Sequence, residues 1–115
     1  MKDILSEIIA HKRIEIELQK RAVSLERLQE EVAAMMQKDA TAGTSVTIPV
    51  RSMKQALASS PTGIIAEFKR RSPSKGWIHK AARAEEIPAA YETAGASAVS
   101  ILTDEKFFGG SLQDI

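Results

Sequence analysis

Two short β-rich runs, residues 64–69 (IIAEFK) and residues 98–103 (AVSILT), set the tightest limit on how this chain can fold. Between them lies a helical segment with Pro88 in its first turn, where a missing N–H costs nothing. The segment runs to Ala94, and Gly95 is its C-terminal stop. Runs starting at 64 and 98 leave room for one strand–helix–strand crossover, a unit of roughly 30 or more residues. Such a crossover makes the strands parallel and the connection right-handed. The second half therefore reads as strand, loop, helix, strand and loop (DEKFFGG, 104–110), with a further helix starting at Ser111.

The first half has a helical period instead. In residues 3–22, Ile4, Leu5, Ile8, Ile9 and Ile16 share one face, while Ile14 and Leu18 fall off it. Asp3 suits the N-cap. A second helix starts at Ser24, with Glu26 in its first turn. Its Leu25, Leu28, Val32 and Met35 have heptad spacing, which suits either a surface helix packed on its own chain or a short intermolecular coiled coil. Residues 38–50, KDATAGTSVTIPV, read as a linker. Ser52 and Gln55 form a capping-box pattern that opens a helix to Ser59, ended by Pro61 and Gly63. The expected organisation is a helical segment over 1–60 and a βα segment over 61–115.

Chemistry concentrates at the first strand. Alternation puts Ile65, Glu67 and Lys69 on one face and the apolar Ile64, Ala66 and Phe68 on the other. A carboxylate and an ammonium thus meet at the C-terminal end of a parallel strand, where α/β folds place their active sites. A purely structural ion pair is the competing reading. The stretch Lys69-Arg70-Arg71-Ser72-Pro73-Ser74-Lys75-Gly76 follows, with four cations, two hydroxyls and a glycine. Such a loop can surround a phosphate or carboxylate. A basic patch for nucleic acid and a solvated charge run are its alternatives.

Whole-chain charge narrows these options. With 16 Lys+Arg against 15 Asp+Glu, no net field draws the chain to nucleic acid or an acidic membrane. The five aromatic residues do not interleave with basic ones, so no stacking platform for single strands is expected. The absence of cysteine removes disulfides and thiolate chemistry. His11 and His79 lie in separate segments, so no His-based metal site is expected. Ser6, Glu7, His11 and Lys12 interrupt the apolar N-terminus, and no run approaches a membrane span. A cytoplasmic location is expected.

The run Ala66-Glu67-Phe68-Lys69-Arg70-Arg71-Ser72-Pro73-Ser74-Lys75-Gly76 resembles the first-strand signature of the indole-3-glycerol phosphate synthase family. Tyr91, Gly95-Ala96, Ser100-Ile101-Leu102-Thr103-Asp104 and Phe107-Phe108-Gly109-Gly110-Ser111-Leu112 resemble the family's second βα unit. The N-terminal helices resemble the extension that precedes its barrel. The resemblance covers essentially the whole chain. It implies an α/β fold: the first two strands of a (β/α)8 TIM barrel behind an N-terminal helical extension.

The resemblance also implies a carbon–carbon lyase of tryptophan biosynthesis. It closes the ring of a carboxyphenylamino-deoxyribulose 5-phosphate with loss of carbon dioxide and water, using no metal or organic cofactor. The glutamate matching Glu67 assists proton handling, and the lysine matching Lys69 contacts the substrate's anionic groups. Ser72 matches a substrate-binding serine, Phe108 an aromatic wall for the aryl ring, and Leu102 a further wall position. The partner implied is a phosphorylated small molecule, with no nucleic acid and no membrane. A barrel takes about 250 residues and eight strands. The family's general-acid lysine, second glutamate and main phosphate cradle fall on later strands. The chain alone is therefore expected to be inactive. A self-associating helical and βαβ module, joined through exposed strand edges, is the alternative function.

Overall fold

The computed structural model describes residues 3–41 and 50–115. The chain divides into two compact units, Met1–Val50 and Arg51–Ile115.

The first unit contains two helices, α1 (Ile4–Ala22) and α2 (Leu25–Thr41). Asp3 caps α1: its carboxylate accepts from the Ser6 N–H at 2.8 Å and the Ser6 hydroxyl at 3.0 Å. Those bonds hold its pKa below the usual value. Val23 turns to extended backbone and ends α1, its N–H bonding the Gln19 carbonyl at 2.9 Å. Ser24 then caps α2, its hydroxyl accepting from the Arg27 N–H at 3.2 Å. The heptad-spaced Leu25, Leu28, Val32 and Met35 are all exposed. The expected linker over 38–50 begins later than its composition suggests, because α2 continues through Thr41. Its segment 42–49 lies outside the described residues.

The second unit opens with α3 (Met53–Ser59), whose Ser52 cap accepts from the Gln55 N–H at 3.2 Å. Next come β1 (Ile65–Phe68), β2 (Arg71–Ser72), β3 (Gly76–Trp77), α4 (Ile87–Thr93), β4 (Ala98–Ile101) and α5 (Glu105–Phe108). A 3₁₀ turn, Leu112–Asp114, closes the chain; Ser111 and Asp114 form a reciprocal capping box around it.

β1 and β4 pair in parallel, with Ile65 opposite Ala98, Glu67 opposite Ser100 and Phe68 opposite Ile101. The ladder reaches past both ends. The Ile64 carbonyl accepts from Ser97 and Ala98, and the Phe68 carbonyl accepts from Leu102. Helix α4 packs on both strands, with Pro88 in its first turn. The expected β-α-β crossover is thus present. Burial follows the strand period: Phe68 is buried at 3% exposure, whereas Ile65 and Glu67 are exposed. Phe68, Ala82 and Phe107 form the core of this unit.

Two expected loops are ordered elements. Residues 70–79 hold the antiparallel β2–β3 hairpin, with Arg71 opposite Trp77 and Ser72 opposite Gly76. Strands of two residues are too short to show an alternating pattern. Residues 105–108 form α5. The Asp104 carboxylate accepts from the Phe107 N–H at 2.8 Å, and Gly109 ends the helix in the left-handed region at φ 65°. Asp before the turn and Gly after it are ordinary cap residues, but four residues are too few to show helical periodicity.

Candidate active site at the carboxyl ends of the parallel strands

Glu67 and Lys69 leave the same side of β1, and their side chains meet: Lys69 Nζ donates to Glu67 Oε1 at 3.1 Å. Both remain accessible, at 36% for Lys69 and 44% for Glu67. An ion pair this exposed contributes roughly 0–1 kcal/mol to stability. Its charges are therefore open to exchange partners with a ligand. Register places Ser100 beside Glu67. Leu102 follows just past the end of β4, two residues on from Ser100. Its N–H is tied to the Phe68 carbonyl at 3.1 Å.

Phe108 closes α5 and is half-buried, while its neighbour Phe107 points into the core. Helix α5 packs on β2, the strand that carries Ser72. Ser72 is a buried polar residue, and its hydroxyl accepts from the Lys75 N–H at 3.2 Å. That bond folds the Ser72–Lys75 turn, so the serine shapes the loop as well as offering an O–H. Glu67, Lys69, Ser72, Leu102 and Phe108 thus all lie at or just beyond the carboxyl ends of the two parallel strands.

The structure corrects the reading of a four-cation anion loop. The Arg70 guanidinium turns inward and grips the Asp114 carboxylate with two bonds, at 2.6 and 2.9 Å. This pair is largely buried, at 16% and 10% side-chain exposure. The hydrogen bonds between the two groups raise the Arg70 pKa and lower that of Asp114. Burial opposes both shifts, and the Ser111 N–H adds to the lowering at Asp114. Arg71 is also committed: its Nη1 donates to the Lys106 carbonyl at 2.6 Å, and its guanidinium lies over the Trp77 ring. Lys69 and Lys75 are the cations of this run that face outward. A run of basic letters looks alike whether its guanidiniums face solvent or carbonyls, so the sequence pattern could not separate Arg70 from Lys69. Asp114 was also missed, because nothing near it in sequence carries a complementary charge.

Parallel strands joined through a helix, with an acid–base pair at their carboxyl ends, place the chain among α/β folds that carry their sites at that edge. The chain belongs to the indole-3-glycerol phosphate synthase family, whose family model matches residues 5–115. An indole-3-glycerol phosphate synthase of Bacteroides thetaiotaomicron is 64% identical over 115 residues, covering all of this chain and 40% of the relative. Those of Prochlorococcus marinus (strain AS9601) and Neisseria gonorrhoeae are 42% and 39% identical. These two matches cover 97% and 96% of this chain, and 35% and 40% of the relatives. The chain therefore spans about two fifths of the length of the curated relatives it matches. No helix among the described residues is long and apolar enough to cross a membrane.

Proposed function

We propose that this chain supplies the first part of the active site of an indole-3-glycerol phosphate synthase. In this reading residues 1–60 are the N-terminal helical extension, and 61–115 are the first two βα units of a (β/α)8 barrel working in the cytoplasm. The substrate is a carboxyphenylamino-deoxyribulose 5-phosphate, whose ring closes with loss of carbon dioxide and water. The accessible Glu67–Lys69 pair at the carboxyl end of β1 is the observation that carries the reading.

The chemistry fits the residue types. Closing the ring needs a proton moved to the departing carbonyl oxygen and another removed from the new ring. Glu67 is the proton-handling carboxylate on this side of the site. The substrate is doubly anionic in character, with a phosphate and a carboxylate, so it draws a cation from its internal partner. Lys69 exchanges Glu67 for a substrate oxygen and thereby frees the glutamate for proton transfer. Phe108 and Leu102 wall the aryl ring, holding it near the reacting carbonyl. Ser72 binds substrate from the hairpin. The general acid and main phosphate cradle come from the part of the family's length not represented in these residues.

The test is steady-state turnover of the full-length protein. Glu67→Gln keeps the shape of the side chain and removes its basicity. It is expected to lower kcat on the order of 10²-fold, the scale of one general acid–base group. Wild-type kcat in a folded Glu67→Gln protein would refute the role.

A further inference from the structure

Arg70 directly follows the Lys69 that we assign to the substrate, yet its charge is spent inside the protein. Besides the two bonds to Asp114, its Nε donates to the Ala82 carbonyl at 2.7 Å and its Nη1 to the Gly109 carbonyl at 3.2 Å. The guanidinium also lies over the Phe68 ring, 5.0 Å from its centre. One side chain thus joins the end of β1 to the segment before α4, the end of α5 and the closing 3₁₀ turn. Asp114 is held in turn: its Oδ2 accepts from the Ser111 N–H at 3.0 Å.

We propose that Arg70, anchored by Asp114, is a positioning residue that sets the distance between the Phe108 helix and the Ser72 hairpin, and with it the width of the aryl pocket. The proposal rests on the function proposed above. Gly109, whose carbonyl Arg70 holds, immediately follows Phe108 and ends α5. The Trp77 ring of the hairpin packs directly on Gly109; a Cβ there would lie 2.8 Å from Trp77 Cζ3. Arg70 and Trp77 therefore both engage this helix end at Gly109. The fork whose Nη1 and Nη2 bind the carboxylate, while Nε and the same Nη1 reach two carbonyls, has no equivalent in lysine. Neither Arg70 nor Asp114 needs to touch substrate for this role.

The experiment compares Arg70→Lys and Asp114→Asn in the full-length protein. Each is expected to raise KM on the order of tenfold while kcat stays within about twofold, the signature of weakened binding in a mis-set aryl pocket. Trp77 emission, taken as the difference from the matching Trp77→Phe protein, is expected to shift. A role confined to stability predicts the opposite split: less active protein, so a lower apparent kcat at unchanged KM. Unchanged KM in a folded variant overturns the proposal, and if Arg70→Lys fails to fold, Asp114→Asn carries the same test. If the wild-type protein shows no turnover, the functional reading fails by itself. The clamp is then judged on Trp77 alone, and unshifted emission in both variants overturns it.

Discussion

At Gly110 the backbone passes so close to its neighbour that a Cβ would sit 1.9 Å from the Leu102 carbonyl oxygen and 2.8 Å from its carbon. Both atoms belong to the main chain at the end of β4, so neither can rotate away. Gly110→Ala is expected to cost about 3 kcal/mol, the upper range for forced overpacking, read as a fall in the urea midpoint. Asp114 gives a pH signature. Its folded-state pKa lies below the ordinary 3.8, chiefly through the Arg70 hydrogen bonds. The stability it confers is therefore fully present above that ordinary value and is lost as pH falls through the lowered one. Asp114→Asn should be less stable than wild type at neutral pH, with the gap closing below about pH 3.8 as the native carboxyl protonates. A constant gap down to strong acid would contradict the ion pair. Alternation along β1 made the Glu67 and Lys69 face legible in the sequence. The inward turn of Arg70 was not, because its partners come from residues 82, 109 and 114.

The same division holds for the elements. α1, α3, α4 and the two parallel strands could be read because each carries a pattern longer than its own caps: apolar spacing, a Ser-x-x-Gln start, a Pro–Gly bracket. α5 and the β2–β3 hairpin hold no full period, and side-chain bonds to the backbone specify them instead. Asp104→Ala removes the acceptor for the Phe107 N–H, a change typically worth ~1 kcal/mol at a helix N-cap. Because Phe108 sits on that helix, KM should rise along with the loss of stability. A normal KM would mean that α5 does not shape the aryl pocket. Helix α2 shows the converse limit. Its heptad spacing was visible, but spacing cannot show what covers the stripe, and Leu25, Leu28, Val32 and Met35 are exposed among the described residues.

For the whole molecule, the βαβ arrangement leaves β1 and β4 pairing only with each other among the described residues. Each therefore has one open edge, and the exposed Ile64, Ile65 and Val99 lie on or beside those edges. Open edges recruit further strands. The 115-residue chain on its own is expected to sediment with a concentration-dependent mass and to show no ring-closing turnover; a stable monomer would contradict the first expectation, and full activity the second. The central claim is that the Glu67–Lys69 pair serves the substrate rather than the fold. Lys69→Met in the full-length protein separates the two. The expected result is a stability within roughly 1 kcal/mol of wild type, as for any exposed pair, together with a fall in kcat/KM on the order of 10²-fold. Wild-type kcat/KM in that variant would contradict it.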